Sequence, residues 1–218
     1  MNPLFDMAKR QYELNEITAG PMWAQKRLNW DVAIVVEASE LMDSLDWKWW
    51  KDGDIDLDNA QLECIDIWHF ALSMALLPAG LHAAETELKD LYEQYRKRNA
   101  YFFKDLAIMK CLDIVHLVSR QKGPVHSSGI YLLRLVSDLS IWLGINMDDI
   151  PKMYFGKSIL NEFRQKNGYK DGTYKKIWKD GKEDNKVMME LTHNLDYNDE
   201  FGKNLSKMLE DAYSSLSE

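Results

Sequence analysis

Three observations predict an all-α fold for this chain. Apolar residues recur at spacings of three and four through most of the sequence, alternating strand-like runs are nearly absent, and Gly and Pro residues punctuate the pattern at helix-length intervals. Its 218 residues, 46% apolar and 11% aromatic, suffice for one substantial core. No internal repeat, low-complexity segment or sharp composition shift marks a boundary, so residues 1–218 read as a single-domain helical bundle.

A first helix is expected from Pro3 to about Thr18, ended by Ala19-Gly20-Pro21. The second starts near Asn29 and offers Val32, Val35, Val36, Leu41 and Leu45 for a buried face. "KDGDIDLDN", Lys51 to Asn59, reads as a connection, because Gly53 and its aspartates favour turns and caps. Asp58 or Asn59 is expected to cap a third helix running to about Leu77, where Pro78 and Gly80 interrupt it. Helices then follow from Ala83 to about Tyr101 and from Lys104 to Ser119. The loop "QKGPVHSSG" precedes a helix over Ile130 to Leu143. Asp148-Asp149-Ile150-Pro151 opens the next, which ends at Gly168. Beyond it a loop leads to a last helix from about Asp199 to Leu216.

Charge and cysteine content narrow the function classes. A net charge of −8 argues against duplex nucleic-acid binding, which depends on Lys and Arg neutralising phosphates. Between Lys157 and Lys182, however, eight Lys/Arg stand against three Asp/Glu, a net +5 that leaves −13 for the rest. Cys64 and Cys111 lie far apart among apolar residues, as buried thiols in a reducing compartment would. The N-terminus lacks a secretory signal's apolar run, and the most apolar stretch, "IWHFALSMALL", is 11 residues long, too short to cross a bilayer. The expectation is a cytoplasmic, soluble protein without a membrane partner.

Two patterns carry chemistry. Glu37 and Glu40 are three apart on the second helix, and Glu63 and Asp66 repeat that spacing on the third. If the helices pack as an antiparallel hairpin, the four carboxylates converge and repel one another unless a cation fills the site. Oxygen-only ligands suit Mg²⁺. The alternative is a pair of solvated acidic faces, although Glu37 follows "VAIVV" and Asp66 lies within "CIDIWHF". The pairs face each other more easily if the second helix ends or kinks near Ser44 to Asp46. Downstream, Lys157, Asn161 and Arg164 form one polar stripe at i, i+4 and i+7, followed by Tyr169, Lys175 and Trp178 in a loop. Such a set suits phosphate oxygens; the alternative is a solvated basic helix. No "GxxxxGK[ST]" loop is present, which excludes a P-loop enzyme.

"EASELMDSLDWKWWK", "ECIDIWHF" and "NEFRQKNGYKDGTYKKIW" followed by "GKEDN" closely resemble, in order and spacing, the dimeric all-α dUTP diphosphatases. These belong to the wider group of all-α, magnesium-dependent nucleoside triphosphate pyrophosphohydrolases. The resemblance spans roughly residues 7–77 and 154–190. It implies a metal-binding four-helix core, two or more Mg²⁺ ions on Glu37, Glu40, Glu63 and Asp66, and a homodimer. It also implies that Glu40 deprotonates the attacking water in hydrolysis of dUTP, and of dUDP, to dUMP, which keeps the nucleotide pool clean. Gln11 and Asn15 fall where the family reads the uracil edge, and Trp50 and Lys51 match its "WKxWK" segment. Lys157, Asn161, Arg164, Tyr169 and Lys175 match its phosphate- and sugar-contacting motif, which closes on the ligand. His69, three residues after Asp66, either touches sugar or second-shell water or is a satisfied core histidine. Trp47 and Trp50 are placed to wall the pocket, and Trp49 to pack in the core. Two alternatives stay open: a pyrophosphohydrolase for another nucleotide such as dCTP, and a non-catalytic helical binding partner.

Overall fold

The computed structural model describes residues 2–77, 80–120, 126–178 and 181–215. Among the described residues there are nine α-helices and no β-strand, so the chain is all-α as its periodicity predicts. The helices are α1 (Pro3–Ala19), α2 (Trp30–Ser44), α3 (Leu57–Leu76), α4 (Gly80–Tyr95), α5 (Lys104–Arg120), α6 (His126–Trp142), α7 (Ile150–Lys166), α8 (Asp184–His193) and α9 (Phe201–Ser214). The chain divides into two compact units, Met1–Pro151 and Lys152–Glu218.

Helix α3 is the axis of the first unit. Thirteen of its 20 residues are buried, which is the pattern of a helix covered on nearly all sides, here by α2, α6 and α1. Its Asp56 cap accepts from the Asn59 amide N–H at 3.0 Å, two residues upstream of the earliest expected cap. Asp56 N–H also donates to the Ser44 carbonyl (2.9 Å), and Asn59 Nδ2 to Ser44 Oγ (2.8 Å). These bonds tie the end of α2 to the start of α3, which makes the pair an antiparallel hairpin. The chain reverses through Asp46, whose φ of +50° is left-handed. Gly53 lies against it: a Cβ there would meet Asp46 Oδ1 at 2.6 Å. The expected end of the second helix near Ser44 to Asp46 is thus where α2 stops.

On the opposite flank of α3, Trp68 Nε1 donates to Ser140 Oγ of α6 (3.0 Å), which is also 3.4 Å from Cys64 Sγ. Gly129 brings the two backbones together: a Cβ at Gly129 would lie 2.6 Å from Ala75 Cα. Cys64 and Cys111 are free, buried thiols as expected, and burial pushes Cys64 up to about 12 and Cys111 up as well.

Several expectations need correction. The buried face of α2 is Ile34, Ala38 and Leu41, continued by Leu45, whereas Val32 and Val36 are 56% and 46% exposed. Two residues turn an α-helix by roughly 200°, so Val36 points away from the side that Ile34 buries. The helix expected to reach Tyr101 ends at Tyr95, because Tyr101 and Phe103 give their N–H groups to the Ile141 and Trp142 carbonyls at the end of α6. His126 to Gly129, expected in a loop, open α6; residues 121–125 of that loop, and Pro78, lie outside the described residues.

The second unit holds most of α7 with α8 and α9. Helix α8 occupies sequence expected to be loop. Helix α9 runs from Phe201 to Ser214, and the expected end at Leu216 is outside the described residues. Phe163, Tyr174, Trp178 and Tyr213 form an aromatic cluster, with Tyr174 stacked on Tyr213 at 5.3 Å. No helix of the described residues is long and apolar enough to cross a membrane.

Candidate active site

The α2–α3 hairpin brings Glu37, Glu63 and Asp66 together, with ligand oxygens all within 4.8 Å of one another. Glu63 is buried and its Oε1 accepts from Asn59 Nδ2 at 3.2 Å, so the residue that helps close the hairpin also orients a ligand. Burial pushes the Glu37 carboxyl up to about 8, and the Asp66 and Glu63 charges push in the same direction, as does a hydrogen bond to Glu63. Three carboxylates this close resist ionising together, and a divalent cation removes that penalty. The donor set is all oxygen, so the residues fit a hard cation such as Mg²⁺. Glu40, one turn beyond Glu37, is exposed and is not among the three carboxylates that converge among the described residues.

Beside this triad in chain order, α1 and α3 share a buried polar ring. Gln11, Asn15, His69 and Ser73 are each more than nine-tenths buried. Gln11 Nε2 donates to Asn15 Oδ1 (2.7 Å), Asn15 Nδ2 to Ser73 Oγ (3.0 Å), and Ser73 Oγ to the His69 carbonyl (2.9 Å). His69 Nδ1 lies 2.7 Å from Gln11 Oε1. His69 is therefore buried and held by Gln11 through Nδ1, and Gln11 and Asn15 are not solvated positions on a terminal helix.

The tryptophans after α2 gather at the surface. Trp47 and Trp50 meet edge-on at 5.2 Å, and Trp49 and Trp50 at 5.5 Å. Trp49, expected in the core, is 89% exposed, because the turn at Asp46 swings the segment clear of the helices. Trp50 and Lys51 are exposed.

In the second unit the basic stripe is not a solvated face. Arg164 is buried and grips Asp184 with two 2.8 Å bonds, Nε to Oδ2 and Nη2 to Oδ1. Nη2 also donates to Asn185 Oδ1 (2.9 Å) and Nη1 to Asn161 Oδ1 (3.3 Å). Lys157, 3% exposed, reaches the same Asn185 oxygen at 3.0 Å. Tyr174 Oη donates to Asp184 Oδ2 at 2.8 Å. Burial pushes the Asp184 carboxyl up, but the Arg164 guanidinium and the Tyr174 hydroxyl outweigh it, and the group sits below its ordinary value. Burial, and then the Asp184 carboxylate, push the Tyr174 hydroxyl up. Tyr169 and Lys175 are exposed on the loop after α7. The sequence marks Asn59 only as a candidate helix cap, and Ser73, Tyr174, Asp184 and Asn185 carry no site role in it. The one signal for the last two was "GKEDN", whose acidic and amide residues suit a helix start.

The family model described as dUTPase matches residues 3–169, which includes the triad, the polar ring and α7. Among curated proteins, none matches the chain.

Proposed function

The chain belongs to the all-α dUTPase family, enzymes of dUTP hydrolysis, and from that premise we propose that it is a Mg²⁺-dependent diphosphatase releasing dUMP and pyrophosphate. The observation that carries the metal dependence is the convergence of Glu37, Glu63 and Asp66, with Glu37 pushed up to about 8 by burial and by the Asp66 and Glu63 charges. These three hold the metal, one ion or more. When bound there, Mg²⁺ would supply positive charge against phosphate oxygens and make nearby water easier to deprotonate. Glu40, exposed and one turn along α2 from the triad, accepts the proton of the attacking water. Attack at the β-phosphorus makes dUDP a second substrate.

Gln11 and Asn15 offer amide groups to the uracil edge, and His69, Trp50 and Lys51 contact the remainder of the nucleoside. The phosphate-contacting role belongs to Lys157, Asn161, Arg164, Tyr169 and Lys175. Its support within the second unit is that Lys157 and Arg164 are fixed around Asn185 and Asp184, with Tyr169 and Lys175 exposed nearby in sequence. The active species is a homodimer of a cytoplasmic enzyme. Exposed Val32 and Val36 on α2, and Met109 and Leu112 on the neighbouring α5, supply the apolar surface for it.

The deciding experiment is a panel of dUTP, dUDP, dCTP and dTTP assayed for product with and without Mg²⁺. Turnover of dUTP and dUDP only with the metal is expected. Preference for dCTP would move the assignment to another nucleotide, and turnover without metal would remove the triad's role.

A further inference from the structure

The polar ring of Gln11, Asn15, Ser73 and His69 has a direction, and Ser73 sets it. A serine hydroxyl carries one proton. Ser73 Oγ lies 2.9 Å from the carbonyl of His69, one turn back on α3, and a carbonyl only accepts. Its other approach, to Asn15 Oδ1, is longer at 3.4 Å. With its proton given to His69, the Ser73 oxygen accepts, and the group facing it at 3.0 Å is Asn15 Nδ2. Asn15 Oδ1 then faces Gln11 and takes the Nε2 proton at 2.7 Å. Gln11 Oε1 in turn faces His69 Nδ1 at 2.7 Å, which must donate. The donors run one way round, and the ring closes on His69.

An amide is nearly symmetric in shape and asymmetric in charge, so apolar packing around Asn15 and Gln11 does not choose between their two rotations. The serine-to-carbonyl bond does. Uracil presents an N–H donor beside a carbonyl acceptor on the edge where cytosine presents a ring-nitrogen acceptor beside an amino donor. A flipped amide exchanges one match for the other.

We infer that Ser73 is a specificity-determining positioning residue, which fixes the rotation of the Asn15 and Gln11 amides and so selects a uracil over a cytosine edge. This rests on the reading in which those amides contact the base. A ring serving only to join α1 to α3 would affect stability and every nucleotide alike; one that orients amides acts on the ratio between bases.

The test compares Ser73→Ala, which removes the oxygen, with Ser73→Thr, which keeps the hydroxyl, alongside Gln11→Ala. The quantities are kcat/KM for dUTP and dCTP, and the unfolding temperature. Ser73→Ala is expected to lower the dUTP-to-dCTP ratio by about tenfold, the scale of one unpaired buried polar group, and Ser73→Thr to restore it. An unchanged ratio in Ser73→Ala while Gln11→Ala loses dUTP selectively would overturn this inference and leave the base reading standing. Equal loss on both nucleotides in Gln11→Ala would overturn both. Nitrogen NMR of the unaltered, full-length protein gives a second readout, independent of turnover: His69 is expected to carry its proton on Nδ1, and finding it on Nε2 would overturn the ring's direction.

Discussion

Glu37 lies among two other carboxylates, whereas Glu40, a single turn away on the same helix, is exposed, and their substitutions should part accordingly. Glu40→Gln is expected to keep the fold and its Mg²⁺ response while kcat falls roughly 10²–10⁴-fold, the usual size of a lost general base. Near wild-type turnover would end that role. Glu37→Gln removes the cost of holding a carboxyl protonated well above its ordinary value beside Glu63 and Asp66, so the metal-free chain should unfold at the same or a higher temperature. The rise in unfolding temperature on adding Mg²⁺ should shrink, since stabilisation by a ligand follows its affinity; a full Mg²⁺ response in this variant would exclude Glu37 as a ligand. The i,i+3 spacing made these carboxylates visible in the sequence. What spacing does not show is the difference between them: Glu37 meets Glu63 and Asp66 of α3 while Glu40 is exposed, on a helix whose buried face is Ile34, Ala38 and Leu41. Ser73 was invisible for another reason: a serine in an apolar helix commonly bonds back to its own carbonyls, and only the approach of α1 reveals the second partner.

Helix α8 gives the second unit its ionic core, although its sequence carries little helical signal. It spans only ten residues and buries only Asp184, Met188 and Thr192, so no continuous apolar stripe marks it. Its place is held instead by Arg164 gripping Asp184. Removing one member of such a pair strands the other, and Asp184→Ala is expected to cost about 3–5 kcal/mol in chemical denaturation. The folded Asp184 carboxyl lies below its ordinary value, so its contribution is present above about pH 3.9 and is lost as pH falls through the folded value. Asp184→Asn should therefore flatten the acid limb of the stability curve; an unchanged limb would mean another group governs it. Arg164→Ala is a poor probe of phosphate binding for the same reason. Exposed Lys175→Ala is the better one, and should raise KM for every triphosphate alike.

At the scale of the molecule, helical periodicity gave the all-α class and most helix positions, while surface and seam were less legible. Val32 and Val36 carried the same apolar signal as Ile34, and only packing separates them. If they mark the dimer surface, Val36→Glu should shift sedimentation towards monomer with helical content unchanged; a dimer of unaltered strength would place the interface elsewhere. The approach of Gly129 to Ala75 reaches further than its local fit. Helix α3 carries Glu63, Asp66, His69 and Ser73 in a row, and Ala75 lies two residues beyond the last of them. A single methyl at Gly129 would meet backbone, not a yielding side-chain tip. Relief then requires α3 and α6 to part, which shifts metal ligands and base-selecting groups as one body. In a screen of random variants, Gly129→Ala should thus appear among the inactive clones although it touches no reacting group, and a second change that shrinks Ala75 to Gly should not rescue it, because the clash is with the Cα itself.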